Sequence, residues 1–263
     1  MKLELNKVGK TFKTSRGETC ALEDIDLAVQ PGEFVCLLGP SGCGKSTLLN
    51  LIAGLDSPDR GTVVVDGQLV QGPGRDRVVI FQEAALFPWL NVHDNVAFGL
   101  QLMQVTPQEW KRRVDHYLQL VHLTGFARSY VHELSGGMKQ RVALARALVL
   151  EPDVLLMDEP FAALDAQTRD MLHEELQGIW AQIGTTILFV THNVREALVL
   201  GDRVVLMTSR PGRIKREFDF DLPRPRHIED QAVVEASRVV LADLRTEVTR
   251  AASAEVINGP VGA

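Results

Sequence analysis

The stretch Gly39–Thr47 carries the most specific chemistry in this sequence of 263 residues. It reads Gly39, Pro40, Ser41, Gly42, Cys43, Gly44, Lys45, Ser46, Thr47. It fits the phosphate-loop pattern G-x-x-x-x-G-K-[ST], with Gly39, Gly44, Lys45 and Ser46 at the fixed positions. Glycines let the backbone approach an anion closely. A helix opening after such a loop aims several N–H groups and its positive end at one point, which suits a phosphate. In such a loop Lys45 reaches the β- and γ-phosphates and the Ser46 hydroxyl ligates Mg²⁺.

Two further groups bear on the same chemistry. The apolar run Val154–Met157 ends in Asp158 and Glu159. Ligands of open α/β sheets lie beyond the carboxyl ends of the strands. Asp158 would there hold Mg²⁺ through water, and Glu159 would orient a water against the γ-phosphate. A solvated strand end fits the same two residues. Leu134-Ser135-Gly136-Gly137 places a hydroxyl and glycine N–H groups before the helical run Met138-Lys139-Gln140-Arg141. That is a second anion-binding start in one chain, and a serine N-cap with glycines in the first turn is its plain structural alternative.

Leu134–Arg141 resembles the signature motif of the ATP-binding-cassette (ABC) ATPases, here as L-S-G-G-M-K-Q-R. Other pieces follow in that family's order over about residues 2–220. Gln82 matches its Q-loop glutamine, Ala163-Leu164-Asp165 its D-loop, and His192 the histidine after the next strand. Phe12 stands where the family stacks an aromatic on adenine. The resemblance implies a P-loop NTPase that hydrolyses ATP with Mg²⁺ held by Ser46, Gln82 and Asp158. It implies Glu159 as general base or water anchor, His192 and Gln82 at the γ-phosphate, and Lys45 as charge neutraliser. It further implies a head-to-tail pair of cassettes, identical or homologous, in which Ser135, Gly136 and Gly137 approach nucleotide held by the other copy, with Asp165 also among the nucleotide-binding residues.

A narrower resemblance rests on Gly72–Arg77, Phe87–Val92, Asp94–Leu100 and Ser209–Ile214. These look like the ATPase subunits of nitrate, sulfonate, taurine and related importers. Such subunits sit on the cytoplasmic face of the membrane, held by permease subunits that a solute-binding protein feeds. Leu86, Phe87, Trp89 and Leu90 form a dense apolar cluster beside Gln82 and Glu83. Either they belong to the core, or Leu86–Val92 is a socket for a permease segment, since exposed apolar patches mark partner sites. An exporter subunit, or an importer for another solute, shares the same cassette. DNA-repair and translation ABC proteins place their motifs differently, and a P-loop kinase lacks the signature and D-loop.

The elements that must position these groups alternate strand and helix. Leu3, Leu5, Leu22, Ile25, Leu27 and Val29 show partial period-two alternation, which predicts strands through residues 2–30. A polar turn at Lys13–Glu18 separates them. Strands are expected at Phe34–Leu38, Thr62–Val65, Arg77–Phe81, Val154–Met157, Ile187–Val190 and Val204–Met207. Helices are expected after the phosphate loop, from Asn91 or His93-Asp94, from Thr106-Pro107, over Gly136–Leu150, and over Val194–Leu200. Another carries Leu172, Leu176, Ile179, Trp180 and Ile183 on one face. This order predicts an α/β fold, mostly parallel in its core, with an N-terminal antiparallel β region and a helical subdomain inserted at about 91–150. The expected division is an ATPase domain over 1–220 and a helical tail over 221–263, with one helix from Ile228 to Thr249 and fraying beyond.

Composition narrows the classes. A formal net charge of −6 does not suggest nucleic-acid binding, for which a basic face is expected. The cysteines Cys20, Cys36 and Cys43 form no C-x-x-C pair, so zinc is not expected, and their number suits a reducing compartment. Cys36 reads as a small buried side chain and Cys43 as loop filler open to alkylation without nucleotide. No apolar run reaches the ~20 residues of a membrane span, and Met1–Leu5 lacks a signal-peptide apolar region. Membrane attachment would therefore come through a partner.

Overall fold

The structure is a computed structural model that describes residues 1–14 and 17–258. Internal contacts divide it into two compact units, Met1–Gly74 with Thr186–Ala263, and Arg75–Thr185.

The first unit opens with β1 (Leu3–Thr14) and β2 (Gly17–Val29), antiparallel, with Leu3 opposite Val29 and Leu5 opposite Leu27. The alternating residues Leu3, Leu5, Ile25 and Val29 are nearly or wholly inaccessible. The strands run further into the polar turn than their alternation indicates, and Ser15 and Arg16 lie outside the described residues. After β3 (Phe34–Leu38) come α1 (Lys45–Ala53), β4 (Arg60–Val65) and a short β5 (Gln68–Leu69). The first four-stranded sheet has the order β2-β1-β4-β5, antiparallel throughout. It is the expected N-terminal antiparallel region.

The second unit begins with β6 (Arg77–Ile80), followed by α2 (Val92–Leu102), α3 (Pro107–Leu120), 3₁₀ turns at Thr124–Phe126 and Val131–Glu133, and α4 (Gly136–Leu148). It closes with β7 (Val154–Asp158), parallel to β6, and α5 (Ala166–Ile183). Asn91 caps α2 by accepting the Asp94 N–H. Pro107 does open α3, but Thr106 makes no side-chain cap. On α5, Leu172, Leu176 and Ile179 are buried as expected. Trp180 and Ile183 are only half-buried, and the polar His173 and Gln177 take the remaining buried positions.

The chain returns to the first unit through β8 (Thr186–Thr191), α6 (Val194–Leu200), β9 (Arg203–Met207), β10 (Ile214–Asp219) and α7 (Gln231–Asn258). Here β3 lies between β8 and β9 and is parallel to both, with β10 antiparallel on the far side of β9. All residues of β3 and β8 are buried, which explains continuous apolar runs in place of alternation. Strand β10 was not apparent from the sequence, because IKREFD carries charge at most positions and lies at a sheet edge, where charge is favoured. The last helix starts three residues later than Ile228 and runs on to Asn258. The fraying expected beyond the helix falls in part on residues 259–263, which lie outside the described residues.

Candidate functional site

In the first unit, β3 delivers the chain into Gly39–Gly44 and α1 leaves it. Gly44 has φ 100°, in the left-handed region, and a Cβ there would lie 2.7 Å from Leu22 Cδ2 and 2.9 Å from the Ala21 carbonyl oxygen. Only glycine meets both demands. No side chain caps α1. Lys45 is buried, and its ammonium donates to the carbonyls of Gly39 (2.9 Å) and Pro40 (3.1 Å). The positive charge is thus held at the loop's own mouth, and Ser46 beside it is exposed. Burial raises the Cys43 thiol above its ordinary value, against the smaller opposing pull of Lys45. The same burial limits an alkylating reagent's access to the thiol. Phe12, on β1, exposes its ring with the Lys10 ammonium 5.5 Å from the centroid.

His192 belongs to the same unit. It is exposed at the end of β8, between two fixed neighbours. Thr191 hydrogen-bonds buried Glu196 and accepts the Asn193 N–H at 2.9 Å. Asn193 caps α6 through the N–H groups of Arg195 (3.0 Å) and Glu196 (3.3 Å). The backbone carrying His192 is pinned on both sides.

In the second unit, β7 presents Asp158 and Glu159, both half-buried. Glu159 has φ 45°, a conformation that costs a non-glycine residue energy and concentrates at working sites. Arg169 steadies the following loop by donating to the carbonyls of Phe161 (3.2 Å) and Leu164 (2.7 Å). Asp165 caps α5 by accepting the Thr168 N–H at 2.9 Å, and hydrogen bonds from Thr168 lower its carboxyl. Ser135 caps α4 through the Met138 N–H at 3.3 Å and is exposed with Gly136. The two helix starts meet closely: a Cβ on Gly137 would lie 2.6 Å from Thr168 Cγ2.

Gln82 is exposed just beyond β6, and α4 holds its backbone. Gln140 donates to the Gln82 carbonyl at 2.9 Å, and Arg146 donates to those of Ala84 and Ala85, each at 2.9 Å. Neither role was legible in the sequence, where both are polar positions on a helix. Next to this segment lies an apolar groove of about 310 Å³, lined by Val79, Phe81, Ala85, Phe87, Phe98 and Arg146 among others. Phe87 packs against Phe98 with ring centroids 4.4 Å apart and against Trp89 at 5.6 Å, the rings tilted in both pairs. Trp89 is 71% exposed, so it is no core residue. Val92, at the end of the same cluster, is fully buried.

A family profile described as ABC transporter matches residues 22–162, more than half of the chain. The nitrate import ATP-binding protein NrtD of Synechocystis is 51% identical over 85% of this chain and 84% of its own. The aliphatic sulfonates import ATP-binding protein SsuB of Bacillus cereus is 45% identical over 92% of this chain and 95% of its own. Among solved structures, the cassette MJ0796, a dimer in a post-hydrolysis state bound to ADP and Pi, superposes with a TM-score of 0.72 at 33% identity. That match covers 82% of this chain and 98% of the cassette. The chain belongs to the ABC transporter family. Within it, this is an ATP-binding cassette, the subunit that binds and hydrolyses ATP.

Proposed function

We propose that this cassette drives import of a small oxyanion such as nitrate, a sulfonate or taurine, as a peripheral subunit on the cytoplasmic face of the membrane. The observation that carries the membrane-coupled reading is the exposed Trp89 beside the apolar groove, seven residues after Gln82. A large aromatic over an apolar groove is a surface suited to a partner helix. The identity with nitrate and sulfonate import subunits supports the solute class. The permease then docks on the exposed side of the Leu86–Val92 segment, Pro88 and Trp89 foremost and buried Val92 excluded, and a solute-binding protein delivers the anion to it. Residues 1–220 form the ATPase domain, with the helical block at about 91–150, and 221–263 its tail.

The chemistry is phosphoryl transfer to water, which rests on positioning and charge neutralisation. Phe12 stacks the adenine, and the loop N–H groups from Gly39 to Thr47 hold the phosphates with Lys45. Glu159 accepts the proton of the attacking water, while His192 and Gln82 hold the γ-phosphate end. In a head-to-tail dimer, Ser135, Gly136 and Gly137 of one copy complete the site of the other, with Asp165 alongside. Ser46, Gln82 and Asp158 would hold Mg²⁺. Their hydroxyl, amide and carboxylate oxygens are hard donors, few in number, as suits an ion that keeps water and phosphate ligands. When bound, it neutralises charge on the β- and γ-phosphates.

The test is reconstitution of the cassette with its permease in vesicles. ATP hydrolysis should rise when binding protein loaded with nitrate, a sulfonate or taurine is supplied, with uptake of that anion. Uptake of a different solute class, or export, would overturn the assignment.

A further inference from the structure

The loop between β9 and β10 touches the phosphate loop from behind. Thr208 and Arg213 close it, with Thr208 N–H donating to the Arg213 carbonyl at 2.9 Å. Gly212 exchanges backbone hydrogen bonds with β2, donating to Ala21 (2.9 Å) and accepting from Glu23 (3.0 Å). It lies so near the phosphate loop that a Cβ on it would sit 2.1 Å from the Cys43 carbonyl oxygen. The exposed side chain of Arg210 donates through Nε (3.3 Å) and Nη2 (3.2 Å) to the Gly42 carbonyl. The C-terminal helix α7 holds the other side of this loop. Glu247, with no accessible surface, accepts the Ser209 N–H at 3.1 Å. It is itself ion-paired with Lys215 (2.9 Å) and Arg250 (3.1 Å).

We propose that Arg210, set in place by Glu247 of α7, is a positioning residue for the phosphate loop. A peptide group is planar, so fixing the Gly42 carbonyl also fixes the Cys43 N–H on its opposite side, where it donates to Pro40 at 3.4 Å. Gly42, at φ 73°, is otherwise among the softest points of the loop. Without the clamp, the loop is shaped for phosphate only part of the time, and apparent affinity falls by that fraction. The C-terminal tail thereby acts on nucleotide binding without touching nucleotide.

This inference rests on the phosphate-loop assignment, and the experiment separates the two. Binding of a fluorescent ATP analogue and steady-state hydrolysis are measured on full-length protein. Failure of wild type to bind, or equal binding by Lys45→Ala, would refute the phosphate loop itself. With that established, Arg210→Ala should bind about tenfold more weakly, the size of one lost charge-assisted hydrogen bond. Its KM should rise while kcat at saturation stays near wild type, and Arg210→Lys, which keeps a donor, should recover part of the loss. Wild-type affinity in Arg210→Ala would overturn the proposal. Glu247→Asp keeps the negative charge but shortens the side chain by one methylene, which draws the carboxylate back from the Ser209 N–H. It should weaken binding when Arg210 is present and add nothing in the Arg210→Ala background. An equal further loss in both backgrounds, or no loss in either, would overturn the link through α7.

Discussion

Replacing Trp89 by alanine separates a partner socket from a folding role. An aromatic side chain of this kind offers up to about 250 Å². At 71% exposure, the isolated subunit covers only about 70 Å² of it, worth about 2 kcal/mol at ~25 cal/mol/Å². The true folding cost is smaller, because the unfolded chain also covers part of that area. A core tryptophan would cost about 3–5 kcal/mol. The remaining ~180 Å² are free for a partner, a ceiling of about 4 kcal/mol. A hot-spot residue there loses ~2 kcal/mol or more on truncation, which weakens assembly about thirtyfold. Urea unfolding of the isolated subunit is measured first, then co-purification with the permease and uptake in vesicles. The expected result is a folding loss below about 2 kcal/mol with assembly and uptake largely gone. A loss above about 3 kcal/mol in the isolated subunit would refute the exposure argument. Unchanged assembly and uptake would refute the socket.

Glu159→Gln should bind ATP normally and lose turnover by ~10²–10⁴, since the amide cannot accept a proton. Near-normal phosphate release from this variant would remove Glu159 from the chemistry. Ser135→Arg and Lys45→Ala should each be inactive alone, yet mixing them should restore partial hydrolysis through one intact composite site. No recovery in proven mixed dimers would count against cross-subunit sharing. A pH series probes Glu247. Burial alone would raise its carboxyl, but hydrogen bonds from Lys215 and the Ser209 N–H outweigh burial and hold it below its ordinary value. A depressed folded value means full stabilisation above about pH 4.5, lost as pH falls toward the folded value. The melting-temperature gap between wild type and Glu247→Gln should therefore hold above about pH 4.5 and shrink as pH falls below it. A constant gap would show that the carboxylate's charge is not what α7 contributes.

Most of the strand and helix order was legible because period and punctuation agreed. Phe34–Leu38 and Val194–Leu200 occur with the bounds read from the sequence. What stayed hidden lies in two places. The first is β10, where charge on an edge strand masks the alternation. The second is contacts between residues far apart in the chain. Gly39–Thr47 could be read as a motif, but the Arg210–Gly42 contact spans 168 residues, and no local pattern encodes it. Gln140 and Arg146 likewise act through carbonyls about sixty positions away. The alternative readings of the Phe87–Leu90 cluster could not be decided from composition, because an apolar run looks the same in a core and on a docking surface. Exposure takes Trp89 out of the core, while Phe87 and Leu90 are half-buried.

The helix starts show which groups the fold has already satisfied. Asn91, Ser135, Asp165 and Asn193 each accept an N–H from the first turn of their own helix. Such a cap offsets part of the positive end that would otherwise attract an anion. Two of the first six helices lack a side-chain cap, α1 and α3. Helix α3 begins with proline, which has no N–H to satisfy at that position. Helix α1 has neither cap nor proline; it has Gly44 before it and the buried ammonium of Lys45 at its first residue. Placing a cation at a helix N-terminus is unfavourable on its own. Here two loop carbonyls hold the ammonium in place, and an incoming phosphate relieves the repulsion. The Ser135 cap differs in kind. Its hydroxyl accepts the Met138 N–H at a long 3.3 Å, which leaves its proton to donate. Under the proposed head-to-tail arrangement, α1 offers the anion-binding start within the subunit, and the Ser135 hydroxyl would serve its own helix and a phosphate oxygen from a second copy at once.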